Sequence, residues 1–180
     1  ELTGSTIETA HLGLREDLGR LAQAGYVVEL ARELSRDHEA NPRLYGLVAG
    51  MLGLLSAKLA TPLLVRALEL QVLASSGFAP ALESCPRCGR TPSGAVSMAF
   101  DAALGGVACA GCAAPGASPL TLQGVAMLRV LGTRPLEEIA GASLPDVADD
   151  LRAALQAFVR HHVHHQLKSV DFLRATGAPW

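Results

Sequence analysis

The chain has 180 residues, 49% of them hydrophobic and 18% charged, with a net charge of −2 at pH 7. That is enough for one domain with a sizeable core, and it excludes a surface that is basic all over, as a general nucleic-acid binder would have. Aromatic residues make up 4%, too few for a broad base-stacking platform, and Lys58, Arg66 and Glu69 interrupt the apolar runs before any reaches the roughly 20 residues of a membrane span.

Residues 1–12, with Gly4, Ser5 and Thr6, read as a lead-in from an upstream domain, and 13–180 as one helical domain. From Leu14 the pattern is helical. Leu18, Leu21, Ala22, Tyr26, Leu30, Ala31 and Leu34 recur at three- and four-residue steps, which predicts a helix over 14–36. Asn41-Pro42 and Thr61-Pro62 each pair a capping side chain with proline at the first helical position. They predict helices over 42–60 and 62–76, the second ending at Gly77. Gly46, Gly50 and Gly53 on the first of these are spaced to let a neighbouring helix pack closely.

Cys85-Pro-Arg-Cys88-Gly89 follows, answered by Cys109-Ala-Gly-Cys112 about twenty residues on. These are the four cysteines of the chain. Two Cys-x-x-Cys pairs at this separation fit one four-thiolate zinc site. Each two-residue gap lets a tight turn aim two sulfurs at one point, and Gly89 can take the positive φ such turns want. With no histidine between Cys85 and Cys112, the expected zinc is structural, one per chain, and closed by four sulfurs. Two disulfides and a redox pair are the alternatives. A two-residue gap is awkward for a structural bridge, and doubled pairs are unusual for a redox motif. Between the pairs, Val96, Met98 and Phe100 alternate with Ser97 and Ala99, and Gly105-Gly106 leads to Val107 and Cys109. A hairpin over about 95–109 is expected, inside a zinc-ribbon insert at about 83–115.

Ser118-Pro119 predicts a helix over 119–131, ended by Gly132, and Pro135 starts a short turn before Gly141. Ser143-Leu-Pro145 opens a last helix over 145–175, with Asp146, Asp149 and Asp150 at its positive end. His161 and His165 on it stand four apart, a spacing that can hold a metal, though the Glu of the zinc-protease pattern is missing: His162 follows His161. The fold class is mainly α, a helical bundle carrying the four-cysteine ribbon. No phosphate loop and no serine elbow are present, and Glu137-Glu138 and Asp149-Asp150 point apart on a helix, so no catalytic residue is assigned and the chain reads as a non-enzyme.

The order of these features resembles the C-terminal helical region of the RecO family of bacterial recombination mediators. The residues that carry the resemblance are Tyr26, Glu29 and Leu30; Asn41-Pro-Arg-Leu-Tyr45; Leu68-Glu69-Leu70; Gly77-Phe-Ala-Pro80; Cys85-Pro-Arg-Cys88-Gly89; Gly105-Gly106-Val-Ala-Cys109; and Leu167-Lys168-Ser169 with Phe172-Leu173. The resemblance implies a cytoplasmic, nucleoid-associated DNA repair and recombination protein. Such a protein has an OB-fold barrel upstream, anneals single strands, and loads the recombinase together with RecR on strands coated by single-strand-binding protein (SSB). Partners would be RecR, the SSB C-terminal tail, and single- and double-stranded DNA. Candidate DNA contacts are Arg87 and Arg90 beside the cysteines, with Arg160, Lys168 and Arg174 near the end of the chain. Arg66 and Arg129 are candidates to clamp the SSB-tail carboxylate, with Met127, Leu128 and Val130 lining a slot; the alternative for Arg66 is an ion pair with Glu69 or Glu83 at the core edge. The rival reading is a zinc-ribbon adaptor of transcription or RNA metabolism, and a small zinc enzyme is a third.

Overall fold

The computed structural model describes residues 4, 6–93, 98–143, 145 and 147–178. Expectations that fall on Ser5, Val96, Ser97, Leu144 and Asp146 lie outside them. The described residues form a helical domain with a small sheet, in the order α1 (Leu18–Leu34), α2 (Pro42–Ser56), α3 (Pro62–Ser75), β1 (Met98–Asp101), β2 (Gly106–Cys109), β3 (Ser118–Leu120), α4 (Leu122–Thr133), α5 (Leu136–Gly141), α6 (Ala148–Val163) and α7 (Lys168–Thr176). No helix among them is long and apolar enough to cross a membrane.

The domain is built round α3. Every residue from Leu63 to Leu73 is buried, and α1, α2, α4, α5 and α6 all touch this helix. Apart from Arg66, Glu69 and Gln71 its buried stretch is apolar on all sides, as suits a helix with no solvent face. Each of its leucines and valines stabilises the fold by about 1.5–3 kcal/mol of burial, before the entropy of ordering is set against it. Gln71 is the polar exception on the α4 side. Its Nε2 donates to the carbonyls of Leu131 and Arg134, each at 2.8 Å, and so satisfies backbone acceptors at the end of α4.

Capping follows the sequence closely at two joints. Asn41 Oδ1 accepts from the Leu44 N–H at 3.0 Å while its Nδ2 donates to the Ser75 carbonyl at 2.9 Å. One side chain thus starts α2 and ends α3. Thr61 Oγ1 accepts from the Leu64 N–H at 3.2 Å. Of the three glycines of α2, only Gly50 has a close neighbour: a Cβ there would lie 3.1 Å from Glu137 Oε1, whereas one at Gly46 or Gly53 would meet nothing within 4 Å.

Four expected boundaries move. The helix expected over 14–36 is interrupted at Asp17, whose backbone is extended; a 3-10 turn over Leu12–Glu16 precedes it, and Asp17 caps α1 by accepting from the Arg20 N–H at 2.8 Å. The next helix stops at Ser56, just before Lys58 turns left-handed at φ 63°. Ser118-Pro119 does not start a helix. It forms β3, pairing with β1 on the side away from β2, where an edge strand tolerates proline. Thr121 is the cap of α4, accepting from the Gly124 N–H at 3.0 Å, and α4 runs on through Gly132 to Thr133. Finally, the single helix expected over 145–175 is two. Val163 ends α6, His164 turns left-handed at φ 63°, and α7 begins at Lys168.

The α6–α7 corner is held by a residue far away in sequence. Leu167 provides no capping side chain for α7. Glu29 of α1 does so instead: Oε1 accepts from the Lys168 N–H at 3.1 Å and Oε2 from the Ser169 N–H at 2.7 Å. A carboxylate on a helix N-terminus meets both the free N–H groups and the positive dipole end. Burial works to raise the Glu29 pKa, but the bonds from Ser169 and Lys168, with Arg32 nearby, hold it below the usual carboxylate range. The stability this adds is present above the unfolded-state carboxylate pKa and is lost as pH falls through the lowered native one. Replacing Glu29 by Gln is expected to cost about 1–3 kcal/mol at neutral pH, as loss of charge-assisted bonds does. Amide exchange should speed up selectively in α7, and the acid-side decline in stability should flatten.

Candidate metal centre and basic surfaces

The first cysteine pair leaves α3 through Phe78-Ala79-Pro80, and the second follows β2. Both pairs are knuckle turns. In the first, the Gly89 N–H donates to the Cys85 carbonyl at 2.9 Å and the Cys85 N–H to the Arg90 carbonyl at 2.9 Å. In the second, the N–H groups of Cys112 and Ala113 donate to the Cys109 carbonyl at 2.8 and 3.0 Å. Gly89 has φ 72°, which the first turn needs and a residue with a Cβ adopts at a cost.

The four sulfurs lie within 4.8 Å of one another, and those of Cys88 and Cys109 are 3.6 Å apart. A tetrahedron of sulfurs at about 2.3 Å from one zinc has edges of about 3.8 Å, so the cluster closes on a metal with small movements. All four cysteines are free; the two disulfides admitted by the sequence are not formed. The thiols also differ in their electrostatics. For Cys85, burial opposes ionisation, but the backbone N–H groups around it, from Cys109, Cys88 and Arg87, bring its pKa down to about 6. Cys112 is pushed up to about 12, first by its contacts with Cys109 and Cys88. Four thiols packed this closely cannot all ionise unless a cation sits among them, and that is what a metal supplies.

The knuckles are tied to the sheet by Asp101, which is 3% exposed. Its Oδ1 accepts from Ala103 and Leu104 N–H at 3.0 Å each, and its Oδ2 from the Ala114 N–H at 2.8 Å. Burial works to raise its pKa, but these three bonds and Arg87 hold it below the ordinary range. The start of the insert is fixed to β2 by backbone hydrogen bonds. Ala81 N–H donates to the Gly105 carbonyl at 2.9 Å and Val107 N–H to the Ala81 carbonyl at 2.8 Å. A Cβ on Gly106 would fall onto the Ala81 backbone, so glycine is required there. Phe100 of β1 packs edge-on against Phe158 of α6, with ring centroids 5.2 Å apart. Phe158 meets His162 at 4.5 Å, and His162 stacks on Phe78 at 4.4 Å. These rings join the insert to α6.

The candidate DNA residues fall into two groups. Arg87 and Arg90 are exposed on the first knuckle. Arg160, Lys168 and Arg174 are exposed at the α6–α7 corner. Arg160 and Arg174 border one depression over Tyr26, with Val159, Leu167 and Val170 as apolar lining; Arg174 also lies 3.6 Å from Asp171. His161 and His165 are not brought together as an i,i+4 pair, because α6 ends between them; His165 Nε2 lies 3.5 Å from Glu33 instead.

Of the two arginines assigned to a tail-binding slot, Arg66 is not on the surface. It is 1% exposed, with Nη1 at 3.2 Å from Glu69 Oε2, so it pairs inside the core rather than guarding a groove. Arg129 is 37% exposed at its side chain. It donates to the Leu82 carbonyl from Nε at 3.1 Å and Nη2 at 2.7 Å, and meets Glu83 Oε1 at 3.2 Å. It borders a depression with Leu70, Ala74, Pro80 and Gly132. The expected lining residues Met127 and Leu128 are buried in the core, and α3 together with the segment leading to Cys85 forms the wall instead. The sequence reading gave no role to Glu29 or Asp101, and offered Glu69 only as the alternative partner of Arg66, which is the pair the fold forms. The available signal was a carboxylate set in an otherwise apolar run, as in Leu68-Glu69-Leu70.

The geometry agrees with comparisons to known proteins. The family model described as "Recombination protein O C terminal" matches residues 15–171. The DNA repair protein RecO of Myxococcus xanthus is 40% identical over 177 residues, covering 98% of this chain and 70% of that protein. RecO of Anaeromyxobacter sp. strain K is 42% identical over 167 residues, 91% of this chain and 65% of the relative. RecO of Desulforudis audaxviator is 40% identical over 171 residues, 91% of this chain and 66% of the relative. This chain spans about two thirds of the length of these relatives. The match runs through α1, the cysteine insert and α7 alike, and on that ground the chain belongs to the RecO family, of which it represents the C-terminal region.

Proposed function

We propose that this chain works in DNA repair and recombination as a non-catalytic mediator, annealing single strands and helping to load the recombinase together with RecR and SSB in the bacterial cytoplasm. The observation that carries the reading is the 40% identity over 177 residues to a protein named for DNA repair. The cysteine cluster supports a structural Zn²⁺, since four sulfurs would complete a tetrahedral shell and no other donor joins the group among the described residues. If bound, the metal would cross-link the two knuckles, a structural role. A strand-annealing assay on the intact gene product tests the mediator reading against a ribbon adaptor of transcription or RNA metabolism. Annealing of complementary strands is the expected result, and inert behaviour with DNA sinks the reading.

DNA contacts made by this region are sequence-blind and go to phosphates. Arg87, Arg90, Arg160, Lys168 and Arg174 all reach solvent with their charges, as other exposed cations of the chain do. If all five engage, log K for single strands should fall with log salt at a slope of about −3.5, and for duplex about −4.5. Reversing all five charges is expected to abolish that slope. Affinity that ignores salt contradicts the assignment.

The SSB tail needs an apolar slot with a guanidinium at its mouth. With Arg66 inside the core, the Arg129 depression remains from the sequence reading, and the Arg160–Arg174 depression is a second receptor favoured by its apolar floor. Titration of a labelled tail peptide separates them. Loss of affinity in Arg129→Ala supports the first; loss in the Arg160→Ala, Arg174→Ala pair supports the second; no loss in either removes both sites.

A further inference from the structure

The four cysteines are unequal in access. Cys85 and Cys109 are 1% and 2% exposed, whereas Cys112 is half-buried and Cys88 is an exposed residue. A small oxidant arriving from solvent therefore meets Cys88 first. The Cys109 sulfur lies 3.6 Å behind it, on the other knuckle and at the end of β2. Linking Cys88 to its own partner Cys85 would have to distort the turn closed by the Gly89 N–H on the Cys85 carbonyl, and disulfide geometry is demanding. Linking it to Cys109 closes no bond inside either knuckle turn and starts from a sulfur separation of 3.6 Å.

We propose that the cluster is a peroxide-sensitive metal switch in which Cys88 is oxidised first and Cys109 resolves it, giving a disulfide between the knuckles and releasing the metal. The inference rests on the reading of the cluster as a metal centre. In the first step the Cys88 thiolate attacks one oxygen of a hydroperoxide. The O–O bond breaks, hydroxide leaves (alkoxide from an alkyl peroxide), and the sulfur becomes a sulfenic acid. In the second the Cys109 thiolate attacks that sulfur, the S–O bond breaks, and hydroxide leaves as the S–S bond forms. Two protons convert the leaving groups to water, and the two electrons that reduce the peroxide come from the two thiolates. Two of four ligands are then gone, and two sulfurs do not hold a structural zinc. Because the new bond spans the two knuckles, the insert stays tethered as the metal leaves, so reduction and added metal can restore it.

The test uses the zinc-loaded chain, hydrogen peroxide in stoichiometric amounts, and a chromogenic chelator. About one zinc should be released per chain, as a single site requires, and dithiothreitol with added zinc should restore the metal content. Trypsin cleaves after Arg87 and so separates Cys85 from Cys88, while Cys109 and Cys112 stay on one peptide. Fragmentation of the linked peptides between Cys109 and Cys112 in the mass spectrometer therefore reads the pairing. It tells a Cys88–Cys109 bridge from a Cys88–Cys112 bridge, which would overturn the assignment. The expected product joins the peptide of Cys88 to that of Cys109. A Cys85–Cys88 or Cys109–Cys112 bridge, irreversible oxidation of Cys88, or zinc retained after one equivalent of peroxide overturns the switch while leaving the metal centre standing. A chain that carries no zinc before oxidation overturns the metal reading itself, and the switch with it.

Discussion

Removing the metal with a chelator, or replacing Cys85 by Ser, is expected to unfold the insert and spare the helices. The insert has little else to hold it. Its sheet is three strands of three or four residues, and a sheet this small is marginal by itself. Structural zinc in small thiolate or thiolate–imidazole modules is worth about 10–16 kcal/mol of apparent binding energy, which is in effect folding energy. No single side-chain contact in the insert approaches that. The helices lose less, because α3 with its five neighbours is packed without the insert's help. Far-ultraviolet circular dichroism should therefore keep most of its helical signal, while amide protection disappears over β1, β2 and the Asp101 turn. Elemental analysis of the untreated chain should give about one zinc. Helical signal collapsing together with the insert would show that the Phe100–Phe158–His162–Phe78 contacts make the two parts one cooperative unit.

What the sequence made legible depends on how local the cause is. The helices after Asn41-Pro42 and Thr61-Pro62 start where expected because a cap and a proline act within one turn. The cysteine cluster was readable because zinc demands a spacing. The misplaced boundaries have non-local causes. Pro119 lies in a strand because β1 offers an edge, and no signal within residues 115–121 reports that edge. The last helix breaks at His164, a residue with no turn signature, and α7 restarts where Glu29 waits to receive its first N–H groups. The resemblance had quoted Tyr26, Glu29 and Leu30 beside Leu68-Glu69-Leu70 and Leu167-Lys168-Ser169 as separate motifs. In the fold they are neighbours: Glu29 caps α7, and the Tyr26 hydroxyl donates to Glu69 Oε1 at 2.5 Å. Arg66 stayed between two readings for the same reason, a clamp for a tail carboxylate and an ion pair with Glu69 or Glu83, and the pair with Glu69 is the one the fold forms. An arginine in an apolar helix looks the same in sequence whether it faces a groove or a buried carboxylate.

Glu69→Ala is expected to destabilise the chain by about 3–5 kcal/mol, the usual consequence of removing one partner from a buried charge pair. Glu69 is 0% exposed and Arg66 1%. Burial pushes the Glu69 pKa up, while Arg66 and the Tyr26 hydroxyl pull it back; burial likewise holds the Tyr26 phenol well above its usual value. Removing the carboxylate leaves the Arg66 guanidinium in the core without it, and takes the acceptor from Tyr26 as well. A loss of this size is a large part of the stability of an ordinary domain and corresponds to a fall of about 6–20 °C in Tm at this chain length. Two controls apportion it. Tyr26→Phe removes the hydroxyl alone and should cost about 1–2 kcal/mol. The double replacement Arg66→Met with Glu69→Leu takes out both charges and keeps the volume, so it should be close to neutral or stabilising. That contrast is the decisive measurement, since a cost of the double equal to that of Glu69→Ala would mean that shape at the centre of α3, and not the paired charge, sets the stability there.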